Sequence, residues 1–146
     1  MSVVPAAIDG LLTLARTSRL IGQAGVRVDD GPWLRPPPDK DLVVIGWLPI
    51  EGPTVTWVND WAGLDSSSET FDVHNLVRAW RSGHALKAAR DAADTLFEAF
   101  RAGVAANQTL HGAVSTCRVA ASHMTSAQTT DGCSVSIEFV IQCRVF

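Results

Sequence analysis

The chain holds four histidines and three cysteines, the side chains best able to ligate a metal or to serve as nucleophile and base. A metal site usually pre-positions two ligands through a C-x-x-C or H-x-x-x-H pair. Neither spacing occurs here. Cys117 and His123 lie six residues apart, hence on one side of a regular strand, and Cys133 and Cys143 are ten apart on a later one. Buried thiols and solvent-facing histidines are expected, with no metal. An odd cysteine count does not read as a secreted disulfide framework. There is no G-x-S-x-G nucleophile turn, and Ser66, Ser67 and Ser68 sit in a polar stretch that holds nothing in place. The paired carboxylates Asp29/Asp30 and Asp39/Asp41 lie in irregular chain without an apolar pocket to raise a pKa. Neither glycine-rich phosphate loop occurs. The expectation is no catalytic residue, no cofactor and no enzyme.

Tryptophan is more informative. There are five, and no tyrosine. Trp is at home in cores and is enriched at interface hot spots. Trp33 falls in a proline-rich segment, whereas Trp47, Trp57, Trp61 and Trp80 fall in strand-like runs. Trp57 and Trp61 gather near one polar tip, which makes that region a candidate subunit contact. Trp33, Trp57, Trp61 and Trp80 are the candidate interface tryptophans.

The elements that must position these residues follow from periodicity. Residues 6–16 carry Ile8, Leu11, Leu12 and Ala15 at helical offsets, with Pro5 suited to a first turn. Val26 to Val28 allows a short strand. Residues 29–41, DDGPWLRPPPDKD, are irregular because Pro36, Pro37 and Pro38 remove three donors. Residues 42–48 read as a largely buried strand. Residues 54–81 alternate on both sides of a polar tip and predict a long protruding β-hairpin. Phe71, Val73, Val77 and Ala79 share one side of its second arm; His74, Leu76, Arg78 and Trp80 share the other.

His84 to Ala102 predicts a helix, capped by Ser82 and stopped by Gly103. Its apolar stripe is Leu86, Ala89, Ala93, Leu96, Phe97, Phe100 and Val104. A turn at Leu110–Gly112 leads to a strand over 113–125. Asp131-Gly132 suits a type I′ hairpin turn, or the end of a wider loop over 126–132. Ser134 to Val145 alternates cleanly. The sum is one α+β domain over 1–146, an antiparallel or mixed sheet of about four to five strands with two helices on one face.

The chain has 146 residues, 47% hydrophobic and 18% charged, with a net charge of -3. That suffices for one core and argues against disorder and against a broad basic face for nucleic acid. No apolar run nears the roughly 18–20 residues of a membrane span. Asp9 interrupts the N-terminal apolar stretch, so no signal peptide and a soluble cytoplasmic product are expected.

The segment order then matters. ETFDVHNLVRAW is followed by Gly83, the helix HALKAARDAADTLFEAFRAG, Leu110-x-Gly112, a strand, a polar turn with Gly132, and SVSIEFVIQCRVF. This resembles the tail terminator (tail completion) proteins of long-tailed bacteriophages, through Glu69, Gly83, Ala85, Arg90, Ala93, Leu96, Leu110, Gly112 and Gly132. The similarity is best over 69–146. It implies a structural virion protein of the tail or neck, assembled in the host cytoplasm. Such a homo-oligomeric ring, usually a hexamer, caps the head-proximal end of the tail tube, ends its polymerisation and joins it to the head–tail connector. DNA passes through the lumen without specific binding. Glu69 joins the candidate interface on this basis, and Asp29, Asp30, Asp39, Asp41, Asp60 and Asp65 become candidate lumen-facing acids. The rivals are another phage neck or head–tail joining protein, and a small α+β ligand-binding domain or enzyme.

Overall fold

A computed structural model describes residues 3–18, 21, 26–31, 41–46, 55–58 and 69–145, with Trp57, Val58 and Glu69 placed by backbone alone. Helix α1 (Val4–Thr17) has Pro5 in its first turn and buries Val4, Ala7, Gly10, Leu11, Leu12, Leu14 and Ala15. Strands β1 (Arg27–Asp30), β2 (Leu42–Ile45), β3 (Val55–Val58) and β4 (Glu69–Ser82) precede helix α2 (Leu86–Ala106). Strands β5 (Thr116–Gln128) and β6 (Gly132–Val145) close the chain. The sheet runs β1-β2-β4-β6-β5, with β3 also on β4. Among the described residues only β1 and β2 pair in parallel, and the other pairs are antiparallel. The fold is the expected α+β, with one strand more than expected because the chain after Val26 does pair.

Both helices lie on one face. α2 packs on β4, β5 and β6, while α1 packs on β1, β2 and α2. The stripe Ala89, Ala93, Leu96, Phe97, Phe100 and Val104 is buried, as its spacing requires. Phe139 on β6 meets it, with ring centroids 5.1 Å from Phe97 and 5.3 Å from Phe100. The alternation of β4 also holds: Phe71, Val73, Val77 and Ala79 enter this core. The opposite face is not uniformly polar. Leu42, Val44 and Leu76 are buried there as a second apolar cluster, and Arg78 is buried beside them in register.

Several boundaries differ from the expected ones for physical reasons. α2 does not stop at Gly103. It runs through to Ala106, and a Cβ on Gly103 would come within 2.8 Å of Leu14 Cδ2 on α1. That glycine serves a close helix–helix approach rather than an exit. Nor is Ser82 the cap: the N-cap position is Ala85, without a side-chain hydrogen bond. The protruding hairpin is not confirmed. β3 pairs with β4 over four residues, from Val55↔Val73 to Val58↔Thr70, while β6 flanks β4 along its whole length. Residues 59–68 lie outside the described residues.

β2 and β3 occupy the same edge of β4, since Ile45 pairs with Asn75 and Val55 with Val73. Only His74 separates them. The chain leaves β2 at Gly46, whose φ of 78° is left-handed. The Gly46 N–H is not lost, because it donates to Asn75 Oδ1 at 3.2 Å; Asn75 Nδ2 donates in turn to Val73 O at 2.9 Å. Asn75 thus sits 1% exposed inside an apolar sheet with hydrogen bonds from both ends of its amide.

Candidate functional site

Strand register decides which candidate side chains can meet. β5 carries a bulge between Val119 and Ala121. Before it, Cys117 pairs with Cys143 on the core face; after it, His123 pairs with Glu138 on the opposite face. The expected shared side for Cys117 and His123 is therefore overturned, since one extra residue inverts every later side chain. No group of three or more metal-ligating side chains occurs among the described residues.

The bulge brings His123 to a shallow bay of about 320 Å³ on the face away from the helices, with His74, Ala121, Glu138 and Val140 along its lining. His123 Nε2 lies 3.0 Å from Glu138 Oε2, and the His123 side chain is 63% exposed. His74 Nε2 shares a hydrogen bond of 3.2 Å with Thr56 Oγ1. Each histidine thus has its own partner. Water competes freely for a group so exposed. Sequence reasoning missed this bay because only the bulge assembles it.

Cys117, Cys133 and Cys143 are free and buried, as expected. Cys117 and Cys143 are cross-strand neighbours in hydrogen-bond contact. The bond to Cys117 and then burial push the Cys143 thiol well above its ordinary range. The sign follows directly. A raised folded-state pKa gives stability that is complete below the unfolded thiol value of ~8.5 and lost as pH rises above it. The stability should fall above about pH 9 by roughly 1.4 kcal/mol per pH unit for that one thiol. The chain has no tyrosine and only Lys40 and Lys87 as lysines, so the thiols dominate the titration there. Urea unfolding at stepped pH, compared with the double variant Cys117→Ala/Cys143→Ala, checks it: the alkaline slope should be shallower once both partners of the buried thiol pair are gone.

The candidate acids do not form one cluster among the described residues. Asp29 is held by Arg27 Nε at 2.9 Å, and Asp30 is exposed at the end of β1. Asp41 stands just before β2, about 10 Å from Asp29 along the strands by the ~3.3 Å rise. It works as a clip. Its Oδ1 accepts the Trp80 N–H at 2.9 Å, and Arg81 Nη1 reaches Oδ1 at 2.9 Å and Oδ2 at 3.0 Å. Asp41→Ala should cost about 1–2 kcal/mol, and Asp41→Asn less, because the amide oxygen still accepts the Trp80 N–H. Chemical denaturation of both variants tests that order. Asp39, Asp60, Asp65, Trp33 and Trp61 lie outside the described residues.

Trp80 is half-buried near the end of β4, against Gly132 of β6. Trp57 pairs with Phe71, and Glu69 with Val145, by backbone register. Glu69 and Trp57 therefore belong to the end of β4 opposite Trp80. The interface candidates are split between the two ends of one strand. No helix among the described residues is long and apolar enough to cross a membrane. No protein-family model matches the chain, and no curated protein does so.

Proposed function

We propose that this chain is a structural subunit of a phage tail terminator, a homo-oligomeric ring that ends tail-tube growth and joins the tail to the head connector. One observation supports the reading: Gly83 and Gly112, two of the glycines behind the resemblance, stand at the turns that join the strand, helix and hairpin whose order suggested it. Gly83 leaves β4 with φ 69°, and Gly112 closes the turn before β5 with φ 88°. Leu110 in that turn is buried against α1, where a Cβ on Gly10 would meet Leu110 Cβ at 2.9 Å. These positions thus build a strand–helix–hairpin unit. The work of such a subunit is docking, and an acidic chain of net charge -3 suits a bore through which DNA must slide.

The test is electron microscopy and native mass spectrometry of the purified chain, mixed with a tail-tube protein from the same genome. Rings on one end of tubes of arrested length are expected. Tubes of unaltered length and bare ends would overturn the reading. A monomer carrying a small molecule in the bay of His74 and His123 would favour the ligand-binding alternative.

A further inference from the structure

β5 ends the sheet, and its second half is covered on neither face. Residues 120–131 are exposed without exception, on the helix-bearing side as well as the other. Met124, at 43% exposure, is the one large apolar side chain so exposed among the described residues. The ladder shows which backbone groups are free. Thr129 N–H donates to Gly132 O at 2.8 Å, so odd residues from Ala121 to Thr129 turn their polar groups toward β6. The alternation then directs the N–H and C=O of Ser122, Met124, Ser126 and Gln128 outward. Such a row is a template for another strand, and proteins usually blunt it with Lys, Pro or an inward charge. Residues 119–130 contain none of these. The single bulge lies at the strand's other end and leaves 121–128 regular.

We propose that the outer edge of β5 docks β5 of a second copy of this chain, the two strands running antiparallel. The charges select this occupant. Between Arg118 and Asp131 the chain carries no Asp, Glu, Lys or Arg, and its one histidine, His123, is already paired with Glu138. An antiparallel pairing of identical strands sets the Arg118 end of each beside the Asp131 end of the other. A parallel pairing would set like against like. Both side chains are exposed. The contact is two-fold and closes on itself, unlike the head-to-tail contacts of a ring. It goes beyond the tail reading and can hold where that reading fails.

Sedimentation equilibrium of the full chain over a wide concentration range tests it. The wild type should dimerise reversibly. Ser126→Pro removes an outward N–H and no bond to β6, so circular dichroism should be retained while dimerisation weakens on the order of a hundredfold, because two ladder bonds are lost by symmetry. Arg118→Asp and Asp131→Arg should each weaken it roughly three- to thirtyfold, given the worth of two exposed ion pairs. The double variant should recover wild-type association. A monomeric wild type, an association indifferent to these substitutions, or a double variant no better than the singles would overturn the proposal. Tube capping by Ser126→Pro would separate this contact from the ring.

Discussion

Phe139→Ala should lower the unfolding free energy by about 3–5 kcal/mol, the range for emptying a buried aromatic site. Phe139 is 2% exposed and stands on β6 where α2 crosses the sheet. Its ring meets Phe97 at 5.1 Å and 60°, an edge-to-face contact, and Phe100 at 5.3 Å and 56°. Such aromatic pairs contribute roughly 0.5–1.5 kcal/mol beyond the area they bury. Both would be lost together, and neither neighbour can collapse into the space without unwinding the helix that carries it. A small domain holds about 5–15 kcal/mol in total, so this one side chain is a large share of it. Urea unfolding should show a lower midpoint at an unchanged slope. A loss below about 1 kcal/mol would mean that α2 does not dock on β6 through this site, since core truncations of this kind are never so mild.

That contact was legible because it rests on local repetition. The 3.6-residue stripe of α2 and the two-residue alternation of β4 and β6 are written in consecutive residues, and each predicts its buried face. What escaped was set by register between distant segments. The bulge at Val119/Ala121 leaves no mark in the run Val119-Ala120-Ala121, yet it moves His123 to the opposite face from Cys117. The sharing of one β4 edge by β2 and β3 depends on two pairings of different span, Ile45 with Asn75 and Val55 with Val73, and Asn75 is a core amide only because Gly46 needs an acceptor there. Asp41 looked like a solvated loop acid. Its partners Trp80 and Arg81 are 39 and 40 residues away. The candidate interface tryptophans are harder still, because any surface a second copy would bury is fixed by that copy and by no pattern within one chain.

Gly132 offers the other large effect, and it separates two uses of glycine that a sequence cannot distinguish. An Asp-Gly pair suggests a turn that needs positive φ. Neither Asp131 nor Gly132 is left-handed here. The two central residues of the turn are Thr130 and Asp131, and the Thr129 hydroxyl takes up the Gly132 N–H at 3.2 Å and donates to its carbonyl at 2.9 Å. Gly132 instead starts β6, paired with Ser82, and has no room for a side chain. An added Cβ would stand 2.6 Å from the Arg81 carbonyl oxygen and 2.6 Å from the Trp80 indole. The indole can swing away, but the carbonyl belongs to the β4 ladder and cannot. Gly132→Ala should therefore cost about 2–3 kcal/mol, the upper range for overpacking. In a Trp80→Ala background only part of that cost should vanish, with the carbonyl contact remaining as the residue. A full recovery would place the whole penalty on the indole. A negligible cost for Gly132→Ala alone would mean that the β4–β6 approach at this corner is looser than the geometry requires.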